Sequence, residues 1–292
     1  MDPLPDSLQL DFLPLITGSF SSPARQNPTS PMIEAAYAQH GIHARYLNCE
    51  VSPASLANAV RGARAMGWIG FNCSLPHKQE IIKYLDGLGE SASLIGAVNC
   101  VVNRGGRYIG ENTDGSGFLI SLRSIVDPRG KRIVVLGAGG AARAIAVELA
   151  LAGASAIILV NRNKERASAV AQLISEKVGT EATVVEWKSA YRIPEGTDIV
   201  VNATSIGGYP NEKALVDIDL ETLSSGMIVG DVIPNPPNTT WLQAAAQRGC
   251  QTLDGLGMLV YQGVASIRHW TGRSVEPAIM RRTLEKIFKV TS

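Results

Sequence analysis

Apolar positions along this chain alternate between two spacings, and the alternation divides it into strands and helices. DFLPLITGSF (residues 11–20) and ARYLNCEV (44–51) read as short strands. PMIEAAYAQHG between them reads as a helix entered through Pro31 and stopped at Gly41, which makes a βαβ unit. SPASLANAVRGARAMG repeats the helical spacing with Ser52 as N-cap, and WIGFNCSL is a strand ending at Pro76. HKQEIIKYLDGL turns helical again, while AVNCVVNRGGRYIGENTD alternates as a hairpin does around its Gly-Gly pair. These segments predict one α/β domain over residues 1–120.

A second domain is predicted over residues 121–257. RIVVLGAGGAARAIAVELALAG runs an apolar strand into a glycine turn and then into an alanine-rich helix, and further apolar strands follow at AIILVN, ATVVEW, DIVVNAT and MIVGDVI. Strands that are apolar throughout and separated by helical or loop segments are those of a parallel sheet covered on both faces. The predicted fold is therefore α/β, a Rossmann-type doubly wound parallel sheet plus a separate α/β substrate-binding domain. NTTWLQAAAQRG is a later helix, and the tail from GLGMLVYQGVASIRHW onward reads as two more. No repeat, low-complexity tract or charge block interrupts the pattern.

Composition narrows the class. With 292 residues, 45% of them hydrophobic, the chain can bury a substantial core. Its 27 Lys and Arg nearly cancel 26 Asp and Glu, and a net charge of +1 gives no general attraction to nucleic acid or an anionic membrane. A small-molecule partner is expected, and a homodimer is left open. Cys49, Cys73, Cys100 and Cys250 are scattered, without a CxxC pair or a cysteine-histidine cluster, so neither a disulfide framework nor a metal site is expected. The start MDPLPDSLQLDFLPLITGSF has acids and prolines where a leader would need a basic, then apolar, run. No segment approaches the roughly 20 apolar residues of a membrane span. A cytoplasmic protein is the expectation.

Gly137, Gly139 and Ala142 form GxGxxA. The first glycine permits the tight turn, the second lets backbone approach a pyrophosphate, and the small third residue lets helix pack on strand. Backbone amides at the helix start, Gly140 and Ala141, then face the phosphates. The same letters also describe a plain strand-to-helix turn; the strand before, the helix after and a second strand ending near Asn161 argue for a dinucleotide. An NAD site would place Asp or Glu at the end of that second strand. Here Asn161 is followed by Arg162, with Lys164 and Arg166 close behind. A guanidinium grips a 2′-phosphate with charge-assisted hydrogen bonds, so the stretch reads as an NADP site. A solvated helix start remains the alternative, although cations there oppose the helix dipole.

Hydride chemistry on an alcohol also needs a group that takes the hydroxyl proton. Lys78 lies just past a strand in NCSLPHKQE, and Asp114 lies between glycines in GENTDGSGF. Facing one cleft, they could share a proton; spacing alone favours a solvated lysine and an aspartate serving a turn or cap. His77 reads as a loop histidine and His269 as a packing residue in an apolar helix.

These motifs, with TSPMIEAAY, GAVNCVV, NRNKERA, VNATSIGG and DGLGMLVYQG in the same order, resemble the shikimate dehydrogenase family over nearly the whole chain. The resemblance implies reversible oxidation of the ring hydroxyl of shikimate to 3-dehydroshikimate, with the hydride going to NADP. It implies Lys78 and Asp114 as the catalytic pair, and Ser30, Ser74, Asn99 and Gln262 as substrate ligands. It also implies Asn161, Arg162, Asn163, Arg166, Thr204 and Gly257, together with the glycine turn, as cofactor ligands. The tail 258–292 would fold back onto the first domain to bring Gln262 to the substrate. Two departures bear on the substrate. Where the family pattern has SxSP, with two serines for the substrate carboxylate, this chain has Pro28, Thr29, Ser30 and Pro31; only Ser30 carries over, with Ser21, Ser22 or Arg25 in the preceding loop as replacements. Pro234 stands where the family carries a tyrosine in DxxYxP. The alternatives are a family enzyme acting on quinate or another shikimate-like polyol acid, and a non-catalytic nucleotide-binding regulatory homologue.

Overall fold

The computed structural model describes residues 12–290. Residues 1–11, which bear on the expectation of no leader, lie outside the described residues. The first half builds a mixed sheet. β1 (Leu15–Ser21), α1 (Thr29–Gln39) and β2 (Ala44–Glu50) form the expected parallel unit, and α2 (Leu56–Ala65) leads to β3 (Gly70–Cys73), parallel to β1. After β4 (Gly87–Leu88) and α3 (Glu90–Ile95), β5 (Cys100–Arg104) and β6 (Arg107–Glu111) make an antiparallel hairpin. Its corner is Gly105 and Gly106, at φ +62° and +86°, the left-handed pair that a two-residue hairpin turn demands. The strand order is β2-β1-β3-β5-β6-β4.

Two local expectations need correcting. HKQEIIKYLDGL closes only a 3-10 turn, Glu80–Tyr84, before β4. Sheet pairing ends it: Asp86 N donates to Tyr108 O (2.9 Å) and the Asp86 carboxylate accepts Tyr108 N (2.7 Å), which draws the chain onto the sheet edge. Ser52 precedes a three-residue 3-10 turn, Pro53–Ser55, rather than α2 itself, and its hydroxyl donates to Ser55 Oγ.

α4 (Asp114–Arg123) leads into the second sheet. β7 (Arg132–Leu136), α5 (Gly140–Leu151), β8 (Ala156–Asn161), α6 (Lys164–Lys177) and β9 (Glu181–Glu186) form one half. β10 (Ile199–Asn202), β11 (Ile228–Asp231), α7 (Thr240–Gln247) and the unpredicted three-residue β12 (Gln251–Leu253) form the other. All pairs are parallel, in the order β12-β11-β10-β7-β8-β9. Read from β9, this is the doubly wound order whose direction reverses between β7 and β10, where such sheets bind ligands. Ile133, Val134, Val135 and Leu136 in β7 are fully buried, as a strand covered on both faces requires.

α8 (Gly255–Thr271) and α9 (Pro277–Ile287) return to the first sheet. Leu256, Val260, Ile267, Met280 and Leu284 join Met32, Ile33 and Tyr37 in one buried cluster, and Trp270 Nε1 donates to Val101 O (2.9 Å). α4 is wedged between α5 and α8 by two glycines. A Cβ on Gly115 would lie 2.4 Å from Ala144 O, and one on Gly117 would lie 2.8 Å from Gln262 N. Trp270→Ala removes both the ring and its hydrogen bond from this seam. It should lower the unfolding free energy by about 3–5 kcal/mol, read from the midpoint of urea denaturation at constant slope.

Candidate active site

A cavity of about 410 Å³ opens between the two sheets, at the carboxyl ends of β1, β3 and β11 and against α8. Lys78 and Asp114 meet on its wall, with Nζ 2.6 Å from Oδ2 and side chains 24% and 12% exposed. Lys78 follows β3 in a turn fixed by His77: its backbone N donates to Ser74 O, and its ring Nε2 bonds Val51 O at 2.8 Å. A carbonyl only accepts, so Nε2 carries the proton and His77 is spent on structure. Val98 N donates to Lys78 O (2.7 Å), which ties the turn to the segment bearing Asn99.

Asp114 is the first residue of α4, where a carboxylate suits the helix dipole. Its N–H donates to Asn112 Oδ1, and its Oδ1 accepts Asn99 Nδ2 at 2.8 Å. Asn99 also donates to Thr113 Oγ1 and accepts Thr113 N, so its amide is wholly engaged in holding the acid. Ser74 and Gln262 line the cavity as well. The Ser74 hydroxyl and Gln262 Oε1 have no hydrogen-bond partner among the described residues, while Gln262 Nε2 is held by Leu259 O (3.1 Å).

Ser30 does not face the cavity; its hydroxyl donates to Tyr46 O (3.1 Å). α1 begins at Thr29, two residues before Pro31, which therefore sits in the first turn where its missing N–H costs nothing. That start turns Thr29 into the cavity and Ser30, about 100° further round, toward β2. Thr29, Asn27 and Ser19 are lining residues that sequence reading passed over. The Asn27-Pro28 pair, a turn signal, was the available hint. Of the replacements considered in the preceding loop, Ser22 donates to Glu50, and none of Ser21, Ser22 and Arg25 lines the cavity. Pro234 forms part of the wall.

Beside this cavity, Gly137 at φ +110° closes the β7 turn, and a Cβ there would press on Ala203 O (3.0 Å). Gly139 and Gly140 have ordinary backbone angles and nothing within 4 Å of where a Cβ would stand. Nothing in the chain demands glycine at either place, so the backbone at the start of α5 is left open to close approach, as a pyrophosphate needs. Asn161 Nδ2 donates to Asn163 O, and Asn163 Oδ1 accepts Arg166 N as the N-cap of α6. The side chains of Arg162, Lys164 and Arg166 are exposed, without a hydrogen-bond or ion-pair partner among the described residues, as a 2′-phosphate site requires. Among the described residues no cluster suited to a metal ion occurs, and all four cysteines are free.

Two expected cofactor ligands have structural duties. The Thr204 hydroxyl donates to Asn202 Oδ1 (2.7 Å), leaving its methyl against Gly137. Gly257 faces α4, where a Cβ would strike Ser121 Oγ at 1.9 Å; Gly255 and Met258 line the cavity instead. Positions 255 and 257 differ by about 200° around a helix, so only one of them can face the cleft.

The chain matches three family models in sequence: a shikimate dehydrogenase substrate binding domain over residues 20–101, a shikimate/quinate 5-dehydrogenase over 121–243, and a shikimate 5′-dehydrogenase C-terminal domain over 255–285. It is 38% identical to the shikimate dehydrogenase (NADP+) of Methanopyrus kandleri, over 95% of this chain and 97% of that protein. It belongs to the shikimate dehydrogenase family. Its relatives include the 5-ketofructose reductase of Gluconobacter sp. strain CHM43, at 53% identity and a TM-score of 0.92, covering 95% of this chain and 100% of that structure. A shikimate dehydrogenase solved with NADP+ is 38% identical, with a TM-score of 0.88 and 96% of each chain covered. Among the described residues no helix is long and apolar enough to cross a membrane.

Asp231, which opens the family's DxxYxP stretch, is fully buried at the end of β11. Burial pushes its carboxyl up to about 6, against donors from Thr239 Oγ1, Ile233 N and Asn202 Nδ2. The folded protein then binds a proton that the unfolded chain releases near pH 4. This group's stabilising contribution is complete below about pH 4 and is lost as pH rises toward about 6, by at most ~3 kcal/mol. In urea titrations between pH 4.5 and 7, the wild type should show that decline and Asp231→Asn should lack it. Equal slopes would mean that Asp231 is ionised throughout.

Proposed function

We propose that this chain is an NADP-dependent oxidoreductase interconverting a secondary hydroxyl and a ketone on a small polyhydroxylated ring, shikimate and 3-dehydroshikimate being the first pair to test. The observation that carries the reading is the 2.6 Å contact of Lys78 with Asp114 inside the interdomain cavity. NADP, when bound, supplies or removes the hydride. The names of the relatives support NADP, as does the unpartnered Arg162 and Arg166 pair where an NAD site would carry an acid.

Lys78 moves the proton. In the direction of oxidation, Nζ takes it from the substrate hydroxyl; in reduction it returns it to the nascent alkoxide oxygen. Asp114 balances the charge that Lys78 carries and aims its amine, and Asn99 keeps the acid from turning. The free Ser74 hydroxyl and Gln262 Oε1 offer a donor and an acceptor to neighbouring ring hydroxyls. A regulatory homologue without activity would have no use for an ion pair maintained at the cost of partial burial.

A second reading keeps the cofactor and the proton pair but replaces the substrate with a neutral polyhydroxylated ketone. The 53% identity to a 5-ketofructose reductase favours it, and so does a wall made by Asn27, Thr29 and Pro234 where the family pattern has serines and a tyrosine. Steady-state rates with shikimate and quinate plus NADP, and with 5-ketofructose plus NADPH, separate the two. Reduction of 5-ketofructose with no turnover of shikimate would select the second reading, and no turnover of any of them would overturn both. Lys78→Ala should lower kcat about 10²–10⁴-fold while leaving NADP affinity, followed by nucleotide fluorescence, unchanged. Arg162→Ala should raise the KM for NADP about tenfold and leave that for NAD unaltered.

A further inference from the structure

We propose that Glu50 is a positioning residue for substrate binding: its carboxylate latches the loop after β1 so that Asn27 stands in the cavity. The inference rests on the reading that substrate occupies the cavity beside Lys78. Glu50 ends β2, opposite Ser21 of β1. Its Oε1 accepts the Ser22 hydroxyl (2.7 Å) and its Oε2 accepts Ala24 N–H (2.6 Å), and these donors hold the carboxyl below the usual carboxylate range. Ala24 is itself buried, and its carbonyl accepts Asn27 N–H (3.1 Å). One residue thus carries the grip of Glu50 directly to Asn27.

The loop past that point is ordered by Asn27. Its Oδ1 accepts Thr29 N–H (3.0 Å) at the start of α1, its Nδ2 donates to Ser19 Oγ (3.3 Å), and its carbonyl accepts Asn48 Nδ2 (2.9 Å). Ser19 gives its own proton to Asn48 Oδ1 (2.9 Å). These bonds fix the amide plane and leave one Nδ2 proton of Asn27 uncommitted; the hydroxyl of Thr29, which lines the same cavity, has no partner among the described residues. The two donors present themselves to an oxygen of the substrate, on the wall where the family pattern places its serines. Glu50 is exposed, and neither Ser22 nor Ala24, to which its carboxylate is hydrogen-bonded, lines the cavity, so its influence on substrate runs through the loop.

The test is a double-mutant cycle on the full-length protein, with shikimate plus NADP and 5-ketofructose plus NADPH as probes. Glu50→Ala should raise the KM for whichever is turned over about tenfold, the loss of one hydrogen bond to substrate, with kcat and the KM for NADP little changed. Glu50→Gln, which keeps one acceptor, should fall between. Asn27→Ala should resemble Glu50→Ala, and the double variant should be no worse than Asn27→Ala alone, because the first residue acts through the second. An unchanged substrate KM in Glu50→Ala would overturn the proposal. Multiplying effects in the double variant would do the same, as would a parallel loss of NADP affinity and thermal stability. Amide hydrogen exchange gives a readout free of substrate. Glu50→Ala should speed exchange over residues 22–29 and leave 132–145 unaltered. Unaltered exchange over 22–29 ends the latch whatever the kinetics; accelerated exchange, with the unmodified protein turning over none of shikimate, quinate and 5-ketofructose, ends the oxidoreductase reading and leaves the latch standing.

Discussion

The architecture around the cavity is organised by one contact, the ion pair of Lys78 with Asp114. A partly buried pair of this kind contributes little to stability, because removing both charges from water offsets most of their attraction. The protein nevertheless spends several side chains on it. Asn99 and Thr113 fix each other and the acid, Asn112 accepts the helix-start amide of Asp114, and Val98 ties down the lysine turn. That concentration of amides at the ends of β5 and β6 makes sense if the relative placement of amine and acid matters more than the energy of their contact.

The nucleotide side follows the same logic with different parts. Central parallel strands with apolar residues on both faces carry their polar groups at their ends, and those at the ends of β10 and β11 are linked to each other. Asp231 accepts from Asn202, and Asn202 accepts from the backbone and hydroxyl of Thr204, whose methyl rests against the Gly137 turn. The glycine turn is therefore shaped by the carboxyl ends of β10 and β11 as much as by its own sequence.

Much of this could be read from the chain because the signals were local. β7, β8, β10 and β11 announce themselves as β-branched runs, Gly105-Gly106 as a hairpin corner, and the glycine turn by its setting. What escaped was decided by distant partners. β12 is three residues long and exists because β11 offers it an edge, and the 80–84 segment is cut short by Tyr108 across the sheet. Ser30 and Gly257 are each a step or two from a residue that does face the cavity, and helical rotation alone separates them. Asn27 belongs to the site through a loop bonded to Glu50 and Asn48, and Ser19 through its place near the carboxyl end of β1. The acid and the amine were visible as residue types in suggestive turns; that they touch is a fact of tertiary structure.

The glycine-bounded seat of α4 limits how such an enzyme can be remodelled. The helix begins with the acid, touches the backbone of α5 through Gly115 and that of α8 through Gly117, and leaves no room for even a methyl group at either contact. A chimera that joined this nucleotide sheet to a foreign catalytic half would have to import the helix together with both of its neighbours. The natural unit of exchange here is consequently larger than either sheet, and a lineage altering its chemistry has more freedom in the loop beyond β1 than at the junction itself.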